Sequence, residues 1–255
     1  MPVPATTNSS APLLEVFSSL QGEGLLLGRR QLFVRLAGCN LHCRYCDTNV
    51  PEPPDFCRLE ATPGRHDFHD LANPVPLEEI CALVERWQRG WPNVHHSIAL
   101  TGGEPLLHVE LLAEWLPRLR NYLPVHLETN GALPEALARV VALLDHVSMD
   151  IKLPSSAGTS DLWEQHQEFI LVASAVTTSV KVVVNSATEF WEVERAAGLV
   201  AAVAPDTPFI IQPETTPAGI VAIKPMALLQ LQEIAARELT DVRVIPQTHK
   251  FLDLL

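Results

Sequence analysis

Two apolar patterns alternate along most of this chain. Short runs dense in Val, Ile, Leu and Phe are separated by longer stretches in which apolar residues recur every three or four positions. The first pattern predicts strands at 31–36 (QLFVRL), 97–100, 125–128, 146–151, 180–184 and 209–212, with a short last one at 242–245. The second predicts helices near 110–122, 134–144, 161–172, 188–203 and 225–238, and Pro134 suits a first helical turn. Repeated strand–helix units imply a parallel sheet with right-handed crossovers. About six units predict an α/β fold, an open or partial TIM-like (β/α)6 barrel rather than a closed eightfold one. Segment 49–76 breaks the pattern, being rich in proline and nearly aperiodic, and helix signals resume only at Pro76-Leu77-Glu78-Glu79. It reads as an insertion, and a loop that long in a compact domain is usually functional or disordered. Residues 1–12, rich in Pro, Ser and Thr, read as a flexible tail, and 13–255 as a single domain.

Composition narrows the function classes. The chain has 255 residues, 47% hydrophobic and 19% charged, ordinary values for a globular protein with a large core. A net charge of −12 argues against broad binding to nucleic acid or to anionic membranes, since either needs a basic face. No apolar run approaches the length of a bilayer span. The N-terminus lacks the basic start and apolar stretch of a signal peptide, so a cytoplasmic protein is expected. Five cysteines, three of them clustered, do not read as a disulfide framework, and a thiolate triplet needs a reducing compartment.

The clustered thiols are Cys39, Cys43 and Cys46, spaced C-x3-C-x2-C. Three thiolates cannot close the usual four-ligand cage of a structural zinc or an electron-transfer cluster. On a [4Fe-4S] cube they would hold three irons and leave one open for a small molecule. The alternatives are buried thiols, or a zinc site borrowing His42, Cys57 or Cys81. The remaining polar motifs fall at the predicted C-terminal strand ends, where parallel α/β sheets carry chemistry. They are Thr101-Gly102-Gly103-Glu104-Pro105, Glu128-Thr129-Asn130-Gly131, Asp150-Ile151-Lys152, Asn185 and Gln212-Pro213. Two glycines where a strand must turn let backbone approach a ligand, and Glu104 could accept from an ammonium group. Asp150 and Lys152 share a strand face; they could contact ribose hydroxyls and a carboxylate, or form a solvated ion pair. Arg35 interrupts an apolar strand four residues before Cys39, which is costly unless it meets an anion. That anion is a substrate carboxylate or a nearby Asp or Glu. His66, His69 and Cys57 lie in the insertion, where solvated polar residues are the better reading than a lone metal site.

The cysteine loop, with Asn40 after its first thiol and Tyr45 before its last, resembles the cluster motif of the radical S-adenosylmethionine (SAM) superfamily. Four finer features resemble its 7-carboxy-7-deazaguanine synthase family. These are Ser19-Leu20-Gln21-Gly22-Glu23-Gly24, Arg35, Asp47-Thr48 after the last cysteine, and Gln247-Thr248-His249-Lys250. The resemblance runs from about Leu14 to the C-terminus, the insertion apart. It implies conversion of 6-carboxy-5,6,7,8-tetrahydropterin to 7-carboxy-7-deazaguanine with release of ammonia, using a [4Fe-4S] cluster, SAM and Mg2+. It gives Cys39, Cys43 and Cys46 to the cluster and Thr48 to Mg2+; without it, Thr48 reads equally well as a turn-forming hydroxyl. Leu20, Gln21, Gly22, Glu23, Arg35, Thr101 and His249 fall to substrate. Tyr45, Gly103, Glu104, Asp150, Ile151, Lys152, Gln212, Pro213, Glu214 and Thr215 fall to SAM. It further implies a homodimer and an external one-electron donor, flavodoxin-like or ferredoxin-like, with no nucleic-acid or membrane partner.

Two rivals are kept. A glycyl-radical enzyme activase would share the cysteine loop, the GGEP segment and D-x-K, but has no need of Arg35 or S-x-Q-G-E-G. A non-catalytic iron–sulfur or zinc-binding protein would neither bind SAM nor release 5′-deoxyadenosine.

Overall fold

The computed structural model describes residues 9–48 and 52–254. The predicted parallel strands form as β3 (Arg30–Leu36), β7 (Ser97–Gly102), β8 (Val125–Thr129), β9 (His146–Ile151), β10 (Thr177–Val184), β11 (Phe209–Pro213) and β12 (Val242–Val244). Each pairs in parallel with the next one in the chain. Strand order thus follows chain order, so the crossovers all wind one way and put their helices on one face of the sheet. That winding builds a partial TIM-like barrel, as the sequence pattern predicted.

The helices are α1 (Leu77–Gly90), α2 (Val109–Leu119), α3 (Pro134–Val140), α4 (Pro154–Ala157), α5 (Trp163–Ala173), α6 (Phe190–Val203), α7 (Pro225–Ala235) and α8 (Thr248–Leu252). In α1 the buried residues Leu77, Ile80, Cys81, Val84 and Trp87 recur at helical spacing and seat it on the sheet. Pro134 occupies the first turn of α3, where its missing N–H costs nothing.

Three expectations change. Residues 9–12 are not tail: β1 (Ser10–Ala11) pairs antiparallel with β6 (Val75–Pro76). Residues 1–8 lie outside the described residues. The Leu13–Leu20 stretch, read only as a motif, is a strand, β2, antiparallel to β3. The insertion holds a hairpin of β4 (Phe56–Glu60) and β5 (Phe68–Ala72) that extends the sheet beyond β2. Its strands were hidden because Arg58, His69 and Asp70 break up the apolar positions and β2, the partner of β4, is distant in sequence. Fully buried Glu60 anchors the hairpin by accepting from the backbone N–H of Ser18, Arg65 and His66. His66 and His69 are exposed while Cys57 faces the core, so the three do not converge.

The two faces of the barrel strands differ in chemistry. Val34, Leu100, Leu127, Met149, Val182 and Ile211 join the helices in the main core. On the other face stand Gln31, Arg35, Ser97, Thr101, His126, Glu128, His146, Ser148, Asp150, Ser179, Lys181 and Gln212, with a small apolar plug of Phe17, Phe33 and Ala99. Such an interior is suited to a polar ligand.

Candidate active site

The cysteine loop leaves β3 and is held by the strand beside it. The N–H of Gly103 donates to the Leu36 carbonyl at 3.1 Å, and that of Glu104 to the Gly38 carbonyl at 2.9 Å. A Cβ on Gly103 would lie 1.9 Å from the Gly38 oxygen, and Gly102 has a φ of +133°, so neither position tolerates a side chain. The missing Cβ atoms permit close approach of the cysteine loop. Cys39 and Cys43 are half-buried and Cys46 is exposed. Among the described residues no three His, Cys, Asp or Glu side chains could hold one metal ion. A cube asks something different, one thiolate per iron, and the loop presents three. Cys57 and Cys81 are buried in β4 and α1, outside the cysteine loop, while His42 lies exposed within it.

Glu104 closes the turn after β7. It is fully buried, and its oxygens accept from the N–H of Leu106, the Thr129 hydroxyl and the N–H of Asn130. Burial pushes its carboxyl above the ordinary range, against those donors. It locks the loop after β7 to the loop after β8. Asn130 then donates to the Asn40 side chain at 2.8 Å, tying the β8 loop to the cysteine loop.

Arg35 faces the interior, as alternation predicted, but its anion is Glu15 of β2, at 2.9 Å. Its Nη1 reaches the Thr48 hydroxyl at 3.3 Å, and its guanidinium lies over the Phe17 ring. The ion-pair alternative is therefore the one the geometry favours. Thr48 also donates to Asp47 at 3.3 Å.

Of the residues given to substrate, Leu20, Gln21, Gly22, Thr101 and His249 gather on one wall. Gln21 donates to Glu128 at 2.6 Å and to Gln31 at 2.9 Å, and Thr101 donates to the other Glu128 oxygen at 2.7 Å. His249 packs directly on Gly22, where a Cβ would come within 2.3 Å of its ring. The N–H and hydroxyl of Thr248 both reach the Gly22 carbonyl. A cavity of about 240 Å3 lies here, lined by Leu20, Gln21, Gly22, Leu27, Thr248 and His249. Gln247 bridges further, donating to Glu23 at 3.0 Å and accepting from the Thr215 N–H at 3.0 Å. Lys250 reaches the Thr215 carbonyl and lies 3.5 Å from Asp47. The C-terminal segment thus straps three loops together.

A buried charge network joins that wall to the fourth barrel strand. Lys152 pairs with Asp150 at 2.8 Å, an ion pair barely exposed rather than solvated. Lys181 pairs with Glu23 and stands 3.5 Å from Asp150. Burial works against Glu23's charge, but Lys181, His249 and Gln247 hold its carboxyl at about 2. Burial opposes the charge of Lys152 and Lys181 as well, and the carboxylates Asp150 and Glu23 hold both above their ordinary range. Lys152 also lies over the Tyr45 ring, and burial pushes the Tyr45 phenol well up. Ile151 turns its side chain into the helix-side core, leaving only its backbone for a ligand. Glu214 is engaged by Asn185 at 2.7 Å, and Pro213 is buried at the end of β11.

Eight buried polar side-chain atoms lack a partner among the described residues, and four of them belong to Tyr45, Asp150, Gln212 and Thr215. Orphaned buried polar atoms are costly, and four at one rim are what a polar ligand would satisfy. Sequence reading missed Glu15 and Lys181 as members of the site; it singled out the Glu128 motif and the Gln247–Lys250 run but gave a role there to His249 alone. A signal was present for Lys181, a charge flanked by Val180 and Val182 in its strand.

Comparison with known proteins agrees with this geometry. Residues 33–176 match the Radical SAM superfamily. A 7-carboxy-7-deazaguanine synthase of Geobacter sulfurreducens is 52% identical over 245 residues, covering 96% of this chain and 98% of that protein. One from Methanothermobacter thermautotrophicus is 37% identical, covering 96% and 98%. The crystal structure of QueE from Escherichia coli superposes with a TM-score of 0.59 at 22% identity, covering 93% of each chain, a likeness of fold. This chain belongs to the 7-carboxy-7-deazaguanine synthase family of the radical SAM superfamily.

Proposed function

We propose that this chain converts 6-carboxy-5,6,7,8-tetrahydropterin to 7-carboxy-7-deazaguanine with release of ammonia, as a radical SAM lyase of 7-deazapurine biosynthesis. The observation that carries it is the family membership over nearly the whole chain, joined to a polar barrel interior that opens beside a three-thiol loop. Cys39, Cys43 and Cys46 would hold the cluster. Tyr45, Asp150, Gln212 and Thr215 would hold SAM, since their orphaned atoms need partners. When bound, cluster and SAM supply the one-electron chemistry that takes a hydrogen atom from the substrate.

The chain's own residues do the rest. Gln21, Thr101 and Glu128 form a preorganised hydrogen-bonding wall, already positioned before a ligand arrives. Glu23, held ionised by Lys181, offers an acceptor to ring N–H groups. The Gln247–Lys250 strap covers that wall and limits water there. Thr48, beside the cluster loop, is the candidate Mg2+ ligand, a hard oxygen donor for an ion that keeps few protein ligands. Arg35 orients Thr48 through Nη1 while Glu15 balances its charge. An external one-electron donor, a homodimeric assembly and a cytoplasmic setting complete the reading.

The experiment is anaerobic reconstitution with iron and sulfide, followed by SAM, reductant and the carboxytetrahydropterin. Formation of 7-carboxy-7-deazaguanine is expected. SAM cleavage without it would point to another radical SAM reaction, and absence of both would remove the assignment.

A further inference from the structure

Lys181 belongs to none of the motifs, yet it stands where two halves of the site meet. It lies on β10 directly opposite Asp150 of β9 in the register. Its side chain is 18% exposed, and its ammonium contacts Glu23 of the β2–β3 loop and Asp150, the latter at 3.5 Å. Glu23 sits on the wall with Gln21, whose side-chain oxygen accepts from the Glu23 N–H at 3.0 Å. Asp150 carries Lys152 on its Oδ2 and has an orphaned Oδ1. A lysine inside a valine-rich strand forgoes hydration, and neither carboxylate could sit there uncompensated. The three groups form one chain of ion pairs, carboxylate to ammonium to carboxylate.

We propose that Lys181 is a positioning residue that couples the two ligands, holding the substrate-side Glu23 and the SAM-side Asp150 in one frame. Filling one half then orders the other. This rests on the proposed assignment of Glu23 to substrate and Asp150 to SAM.

The test is equilibrium binding by anaerobic calorimetry on cluster-loaded, unreduced protein, so that nothing turns over. Affinity for the carboxytetrahydropterin is measured with and without saturating SAM. In the parent, SAM is expected to tighten the pterin by a factor within about 5–150, the usual span of such coupling. In Lys181→Met the factor falls to near one, and Lys181→Arg, which keeps the charge, restores most of it. After reduction, the ratio of 5′-deoxyadenosine to product should rise in Lys181→Met, by up to about a hundredfold if the ligands shift by an ångström. Iron content and thermal midpoint are read alongside, and Lys181→Gln serves if the Met variant does not fold. A coupling factor unchanged in the neutral variant, or absent in the parent, overturns the proposal. A parent that binds neither ligand instead removes the functional reading on which it rests.

Discussion

Val34, Leu100, Leu127, Met149, Val182 and Ile211 point from six adjacent strands toward the helices, and all are 0% exposed. Arg35, Thr101, Glu128, Asp150, Lys181 and Gln212 are their neighbours in the chain and point the other way. One backbone therefore carries two unrelated surfaces, because successive side chains in a strand leave on opposite sides. The helix-side surface stabilises by area removed from water and tolerates no cavity. The interior surface is held by ion pairs and hydrogen bonds whose partners come from distant loops. Substitutions on the two should break different properties, and that difference can be measured.

The largest effect lies beyond both faces. Replacing Cys39, Cys43 and Cys46 together with Ala should remove bound iron and abolish turnover, a loss of at least about 10⁶-fold, while circular dichroism stays native because the loop is outside the core. Iron retained after reconstitution would refute the ligand set. On the helix side, Ile211→Ala should cost about 2–5 kcal/mol by leaving a cavity. Urea unfolding measures it, and ligand affinities of the folded fraction should not change. A loss of SAM affinity as large as the loss of stability would mean that the faces are not separable.

The interior should be acid-labile through its own buried histidines. Burial holds His126 at about 3 and His146 at about 4, below the unfolded value of 6.5. A base depressed by folding binds its proton more readily when unfolded. Stability is therefore full above pH 6.5 and falls as pH drops toward 4, by about 1.4 kcal/mol per pH unit for each such histidine. His126→Asn should flatten that slope by one proton's worth in unfolding curves taken at pH 6, 5 and 4. An unchanged slope would show that His126 titrates normally. Glu23, lowered to about 2, adds a loss only below about pH 4.5.

Smaller effects sharpen the assignment of single residues. A double-mutant cycle of Glu15→Gln with Arg35→Gln should give a coupling energy of about 1–2 kcal/mol in stability, the sign of a charge-assisted pair. Additive effects would leave Arg35 to the substrate carboxylate instead. Smallest of all, Cys57→Ala should cost about 1 kcal/mol and leave the iron content untouched. Lower iron in that variant would make Cys57 a ligand after all.

The sequence alone determined the parallel strands, most of the helices and the cysteine loop. Each is written locally, as runs of Val and Ile, as a helical period, or as thiols within eight residues of one another. Spacing also placed Asp150 beside Lys152 and turned Arg35 to the interior, because two-residue alternation is a property of any strand. Tertiary structure alone decided what those side chains meet. Arg35 finds Glu15 across an antiparallel pair that only folding creates. Glu104 reaches Thr129 and Asn130 of the next strand's loop. Lys181 meets Glu23, 158 residues away, and Gln247 meets it across 224. Local pattern records which face a residue takes. Which charge it will neutralise depends on loops that become neighbours only when the barrel is wound.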